Sequence, residues 1–297
     1  MLKRRKTPPA AAGPRDVPRI VTRPAGLTLF GVLMSAASMA HAAAPNASAL
    51  LCNDVGDAFK KNPALQTATR TALGTGIRIQ PDDASGACTT PAALLTFGAD
   101  EILITGEADR GGVDADDVAH LSAYFLSSAA GGAMRLTGEK RRFADSPAPW
   151  GRAGDISAAH FGPDNGMIVT GDGSMEGFST KTALLFVFHP NQVVRLGSIP
   201  LAWGNGGAED DASKEVSIRG HIESGAQADR VRVTYTRKAG AHTSTVVSIW
   251  RSSAGRFVLE AGSVPKEIVK SSDLPPSAFA RNGSAIPASD MSGWTDR

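Results

Sequence analysis

The chain has 297 residues, 31 Lys and Arg against 29 Asp and Glu for a formal net charge of +2, and 42% hydrophobic residues. The charge is unevenly placed: residues 1–42 hold seven basic residues and one acidic one, which leaves 24 basic and 28 acidic residues in the rest, a net charge of −4. A basic surface for nucleic acid or anionic lipid is therefore not indicated, and the 255 residues after position 42 suffice for one large β domain or two smaller ones.

Residues 1–42 read as a cleaved export signal. Lys3, Arg4, Arg5, Lys6, Arg15, Arg19 and Arg23 precede an apolar run from Ala25 to Ala40, and Ala40-His41-Ala42 gives a small-x-small cleavage pattern. The run is short for a membrane span, which needs about 20 strongly apolar residues, and Gly26, Thr28, Gly31, Ser35 and Ser38 dilute it. The expectation is a periplasmic or secreted protein with no transmembrane anchor after cleavage.

Residues 43–92 form the next unit: a small-residue linker, then a helix and a strand. Leu51, Val55, Ala58 and Phe59 recur at helical spacing and predict a short helix over 50–59, ended by Asn62-Pro63. A further amphipathic stretch covers 64–73. Ile77 and Ile79 alternate with polar neighbours and predict a strand over 75–80. Cys52 and Cys88 are the two cysteines of the chain. In an exported protein they pair most simply with each other, closing a 36-residue loop worth about 3–4 kcal/mol in the chain-entropy model. A metal pair or a reactive thiol is the lesser reading, since there is no CxxC spacing.

Residues 93–262 carry a repeat. Glu101–Ala108 (EILITGEA), Gly166–Gly173 (GMIVTGDG) and Arg230–Arg237 (RVRVTYTR) align on Thr105, Thr170 and Thr234, 65 and 64 residues apart. A second element follows each, ending on Phe125, Phe188 and Trp250, 63 and 62 residues apart. A third closes each unit: Ala133–Gly138, Val193–Gly197 and Arg256–Gly262. First strands are expected at 93–97, 156–161 and 216–222. The class is thus all-β: three repeats of about 63 residues, four antiparallel strands each, with a short N-terminal helix. Four strands per unit is propeller-like, but propellers usually have four to eight blades with a period nearer 40–50 residues, so a sandwich or open barrel is the alternative. The predicted core is Leu103, Leu126, Ile168, Leu185, Val187, Val233, Ile249 and Leu259. The apolar run Leu184–Phe188 is expected to be covered on both faces. Residues 263–297, rich in Pro, Ser and Ala, read as a low-order tail.

Chemistry leaves few marks. His160 and His221 sit near the ends of equivalent first strands, but no HxH, HxxxH or HExxH spacing supports a metal. Asp109, Asp114, Asp116 and Asp117, and separately Glu209, Asp210, Asp211 and Glu215, cluster in loops. The first set starts like a calcium loop and lacks its third ligand and glycine, so solvated acidic loops are expected. GxSxG, Walker and GxGxxG patterns are missing, and no SxxK serine–lysine motif stands out. No catalytic residue, metal or cofactor is assigned. Two aromatic loops remain: Pro149-Trp150-Gly151 and Trp203-Gly204-Asn205-Gly206-Gly207. Trp150, Trp203 and Asn205 are the candidate binding residues, because a tryptophan beside glycines can offer a flat face to a sugar or a peptide. The same residues can instead plug a sheet end. The first functional reading is a non-catalytic binding or interaction module whose partner is an envelope protein or glycan. The second is an envelope-polymer hydrolase using loop carboxylates and a histidine.

Overall fold

The structure is a computed structural model that describes residues 49–279 except 54, 56–58, 82–83, 110–113, 115–116, 129–132, 225–228, 273 and 275. The expected export segment 1–42 and the last residues of the expected tail, 280–297, lie outside the described residues.

The protein is mostly β. The first sheet holds β1 (Leu50–Leu51), β2 (Arg78–Ile79), β3 (Ala87–Phe97), β4 (Asp100–Asp109), β5 (His120–Ser128) and β6 (Met134–Asp145), in the order β2-β1-β3-β4-β5-β6. The second runs in sequence order through β7 (Asp155–Phe161), β8 (Asp164–Met175), β9 (Phe178–His189), β10 (Gln192–Gly204), β11 (Val216–Ser224), β12 (Arg230–Ala239), β13 (His242–Ser253) and β14 (Arg256–Gly262). β1 pairs in parallel with β2 and β3, and the other pairings are antiparallel. Neither sheet closes into a barrel. β10 pairs with β11 through Trp203↔Ile218, so strands expected to belong to separate units share one continuous sheet.

Period-two alternation decides where each strand buries its side chains. On β4 and β5, Ile102, Ile104, Leu121, Ala123 and Phe125 face Met167, Val169, Leu184, Phe186 and Phe188 of the second sheet. β9 also sends Ala183, Leu185 and Val187 to its opposite face, where they join Ile199, Ile218, Val233, Tyr235, Trp250 and Phe257. The apolar run of β9 is thus covered on both faces, as its sequence predicts. Burying each such side chain contributes about 1.5–3 kcal/mol. Six of the eight predicted core residues are buried; Ile168 and Ile249 are partly exposed. At Ile249 the cause is plain alternation along β13, which turns Ser248 and Trp250 to the interior and Ile249 to the other face. There the indole Nε1 donates to Ser248 Oγ at 2.7 Å.

Two expectations need correction. No helix starts at Leu50: Leu50–Leu51 is β1, held between β2 and β3. Phe59 and Lys60 are helical, so a helix ends before Asn62-Pro63 as expected, and the same pair opens the next one. Helix α1 spans Pro63–Leu73, with Asn62 Oδ1 accepting from Leu65 N–H at 3.1 Å. Asparagine is a strong N-cap, and proline in the first turn has no N–H to leave unpaired. Leu65, Ala68 and Ala72 of α1 pack on Leu103, Tyr124 and Leu126, the outer face of the first sheet. Second, the segment after β14 is not loose up to Phe279. Helix α2 (Lys266–Ser271) and a turn at Pro276–Phe279 bring Ile268, Ala278 and Phe279 into the core of the second sheet. Phe279 meets Trp250 edge-on at 5.8 Å. The Cys52–Cys88 disulfide is formed and ties β1 to β3. Among the described residues no helix is long and apolar enough to cross a membrane.

Candidate functional site

The connection from β6 to β7, residues 146–154, is pinned at several points. Ser146 N–H donates to Ala119 O at 2.8 Å, and Ser146 Oγ accepts from Ala148 N–H at 3.1 Å. Gly151 N–H donates to Asp117 O at 2.8 Å. The loop also lies directly on β8: a Cβ at Gly171 would collide with the Pro147 carbonyl. Ala148 and Ala153 are buried, so the loop is anchored at both ends.

Between those anchors Trp150 has φ 61° and Gly151 has φ 59°. Two successive left-handed residues define a type I′ turn, in which asparagine or glycine is usual at the first position. A tryptophan there carries backbone strain, of the order of 1–3 kcal/mol. Its side chain is 47% exposed. The fold therefore holds a large apolar ring out to solvent in an unfavourable backbone conformation.

Beside the turn is a cleft of about 330 Å³, at the low end of the range for ligand sites. Its walls include Val55, Thr90, Pro149, Arg152, Asp155 and Asp172. Lys181 lies behind the two carboxylates, 3.8 Å from Asp155 and 3.3 Å from Asp172. Both carboxylates are largely exposed while the ammonium is partly buried. The wall combines hydrogen-bond acceptors and a guanidinium, and the Trp150 turn contributes Pro149 and Arg152 to it. A general acid for hydrolysis is usually a carboxyl in an apolar, dry setting. Asp155 and Asp172 have the opposite environment.

The other candidate residues are placed differently. Trp203, at the end of β10, is half-buried, with its ring 6.0 Å from that of Phe178. Asn205 is buried and its side chain is spent on the 205–215 loop. Its amide donates to Glu209 Oε1 at 3.2 Å and Lys214 O at 3.4 Å, and its Oδ1 accepts from Val216 N–H at 2.6 Å. Of the three, Trp150 is the exposed one, on the turn whose Pro149 and Arg152 line the cleft, whereas Asn205 holds a neighbouring loop together and Trp203 packs against the core of the second sheet. Asp211 is also structural: its carboxylate accepts from the Ser213 hydroxyl at 2.7 Å and the Ser213 N–H at 2.9 Å. Those bonds hold its carboxyl below the usual range. His160 and His221 are exposed on β7 and β11, with three strands between them in the sheet order, and His160 lies edge-on to Phe97 at 5.7 Å. Among the described residues no three His, Cys, Asp or Glu side chains converge as a metal would require.

Sequence reasoning missed Arg152, Asp155, Asp172 and Lys181. The pairings Asp155↔Thr170 and Asp172↔Lys181 bring them together, and only strand register reveals that. Comparison with protein-family models, with curated proteins and with solved structures yields no match to this chain.

Proposed function

We propose that this is an exported envelope protein that binds its ligand without transforming it, through the face formed by Trp150 and the adjoining cleft. The observation that carries the reading is Trp150: exposed, on a pinned loop, at a strained backbone position where a smaller residue would be more stable. Strain kept at an exposed aromatic is the pattern of a ligand contact. The partner is an envelope protein or glycan. Cleavage near Ala42 and a periplasmic or secreted location belong to the same proposal, supported by the basic-then-apolar N-terminus and by the buried disulfide. So does the division into a 43–92 segment and a 93–262 repeat domain. Twelve strands between Ala87 and Gly262, in three runs of four, support the repeat. Superposing residues 94–138, 156–197 and 216–262 tests it, and three unrelated backbone paths would end it.

The functional test is capture from an envelope extract by purified residues 43–297, with folding of each variant checked by melting. Wild type is expected to retain a component that Trp150→Ala loses. Trp203→Ala, which removes a ring packed against the core of the second sheet, is expected to lower stability. Capture indifferent to Trp150→Ala contradicts the reading. Turnover of peptidoglycan by the pure protein would favour the hydrolase instead.

A further inference from the structure

β7 stops short of its neighbour. Its pairing with β8 runs from Phe161↔Asp164 to Asp155↔Thr170, whereas β8 continues to Met175 with β9 as its partner. Gly171–Met175 is therefore a sheet edge with no strand on its outer side among the described residues. The hairpin turn beyond it, Glu176-Gly177, has φ 51° and 83°, a type I′ turn closed by the Met175↔Phe178 pair. In such a two-residue hairpin the closing pair is hydrogen-bonded, and hydrogen-bonded and open pairs alternate along the ladder. Asp172 and Ser174 thus turn their N–H and C=O groups outward.

The tip is rigid and apolar. Gly207 N–H donates to Gly177 O at 3.1 Å, fixing the hairpin to the 205–215 loop. Met175 is 76% exposed and Phe178, directly opposite, 42%. At the other end of the open edge is the cleft beside the Trp150 turn, whose lining includes Ala153, Gly154 and Asp155 leading into β7 and Gly171 and Asp172 on β8. The cleft sits where β7 would otherwise continue.

We propose that an extended polypeptide segment adds to the second sheet as a strand along Gly171–Met175, with one end in the Trp150 cleft and an apolar side chain on Met175 and Phe178. This rests on the binding reading above and names its ligand class. Outward main-chain amides match the repeat of a peptide, and alternate side-chain pockets supply selectivity. Charge narrows the partner further. Asp155 and Asp172 stand outermost, Lys181 lies behind them, and Arg152 Nε turns back to Pro149 O at 3.4 Å. Glu176 extends the acidic side along the tip. The segment carries a lysine or arginine between apolar residues.

The test is fluorescence anisotropy with the whole chain and a fluorescein-labelled hexapeptide of alternating valine and threonine around one central lysine. Saturable binding is expected. Replacing the lysine by glutamate, or N-methylating alternate amides of the peptide, is expected to weaken binding at least about ten-fold, equal to about 1.4 kcal/mol. Ser174→Pro removes an outward N–H and is expected to do the same with little change in melting, since proline is tolerated at edge positions. The N-methylated peptide keeps the test sound if that variant misfolds. Equal binding of the N-methylated peptide, or no saturable binding of any peptide, overturns strand addition. If Trp150-dependent capture from extract persists in either case, the binding face stands and only the strand-addition mode falls.

Discussion

In the Pro149–Arg152 turn both central residues take positive φ, a conformation that asparagine before glycine accepts with little strain. Trp150→Asn is therefore expected to stabilise the fold by about 1 kcal/mol, raising the melting temperature by roughly 2–4 °C for a domain of this size. A lower melting temperature would mean that the indole contributes packing that its exposure does not suggest. The two tyrosines give a second residue-scale prediction. Burial pushes the Tyr235 phenol well above its ordinary range, and its hydroxyl donates to Pro200 O at 2.9 Å. Tyr124 is raised as well, chiefly by burial. A phenol whose folded pKa exceeds the unfolded value of about 10 stabilises the fold fully below that pH. That contribution is lost as pH rises through the folded pKa. Absorbance at 295 nm should show less tyrosinate near pH 10 than two free phenols would give while the protein remains folded, and melting at pH 11 should fall below that at pH 9. A normal titration of either ring would contradict its burial.

At the scale of elements, two short segments carry more of the fold than their sequences suggest. Asn62→Ala removes the cap of α1 and is expected to cost about 1 kcal/mol in denaturant unfolding. Phe279→Ala is expected to cost about 3 kcal/mol, because the ring is buried against Trp250. An unchanged midpoint would return residues 263–279 to the status of a tail. The strands were legible because alternation, β-branched residues and Gly- or Asp-marked turns all agree over 93–262. The two misread segments lack that redundancy. Asn-Pro separates two helices, ending one at Lys60 and capping the next, but nothing in the sequence shows that Leu50–Leu51 before them is a strand. Ile268 and Phe279 are isolated apolar residues among prolines and serines, and they enter the core because the face of the second sheet is there to receive them.

For the whole molecule, periodicity predicted strands but not where the sheets break. That depends on whether β6 pairs with β7 and β10 with β11, and both joints read alike as long polar loops. The structure separates the first joint and pairs the second. The site was half visible for the same reason. Trp150 could be chosen from its glycine-flanked loop, whereas Asp155, Asp172 and Lys181 meet only through register. Trp203 and Asn205 looked equivalent to Trp150 in sequence, yet Asn205 is bonded internally and Trp203 stacks on Phe178. The most direct test of the account is capture of an envelope component by Trp150→Asn, a variant expected to be at least as stable as wild type. Loss of capture by this stable variant is the result predicted here. Undiminished capture would contradict the assignment of Trp150 as the ligand contact.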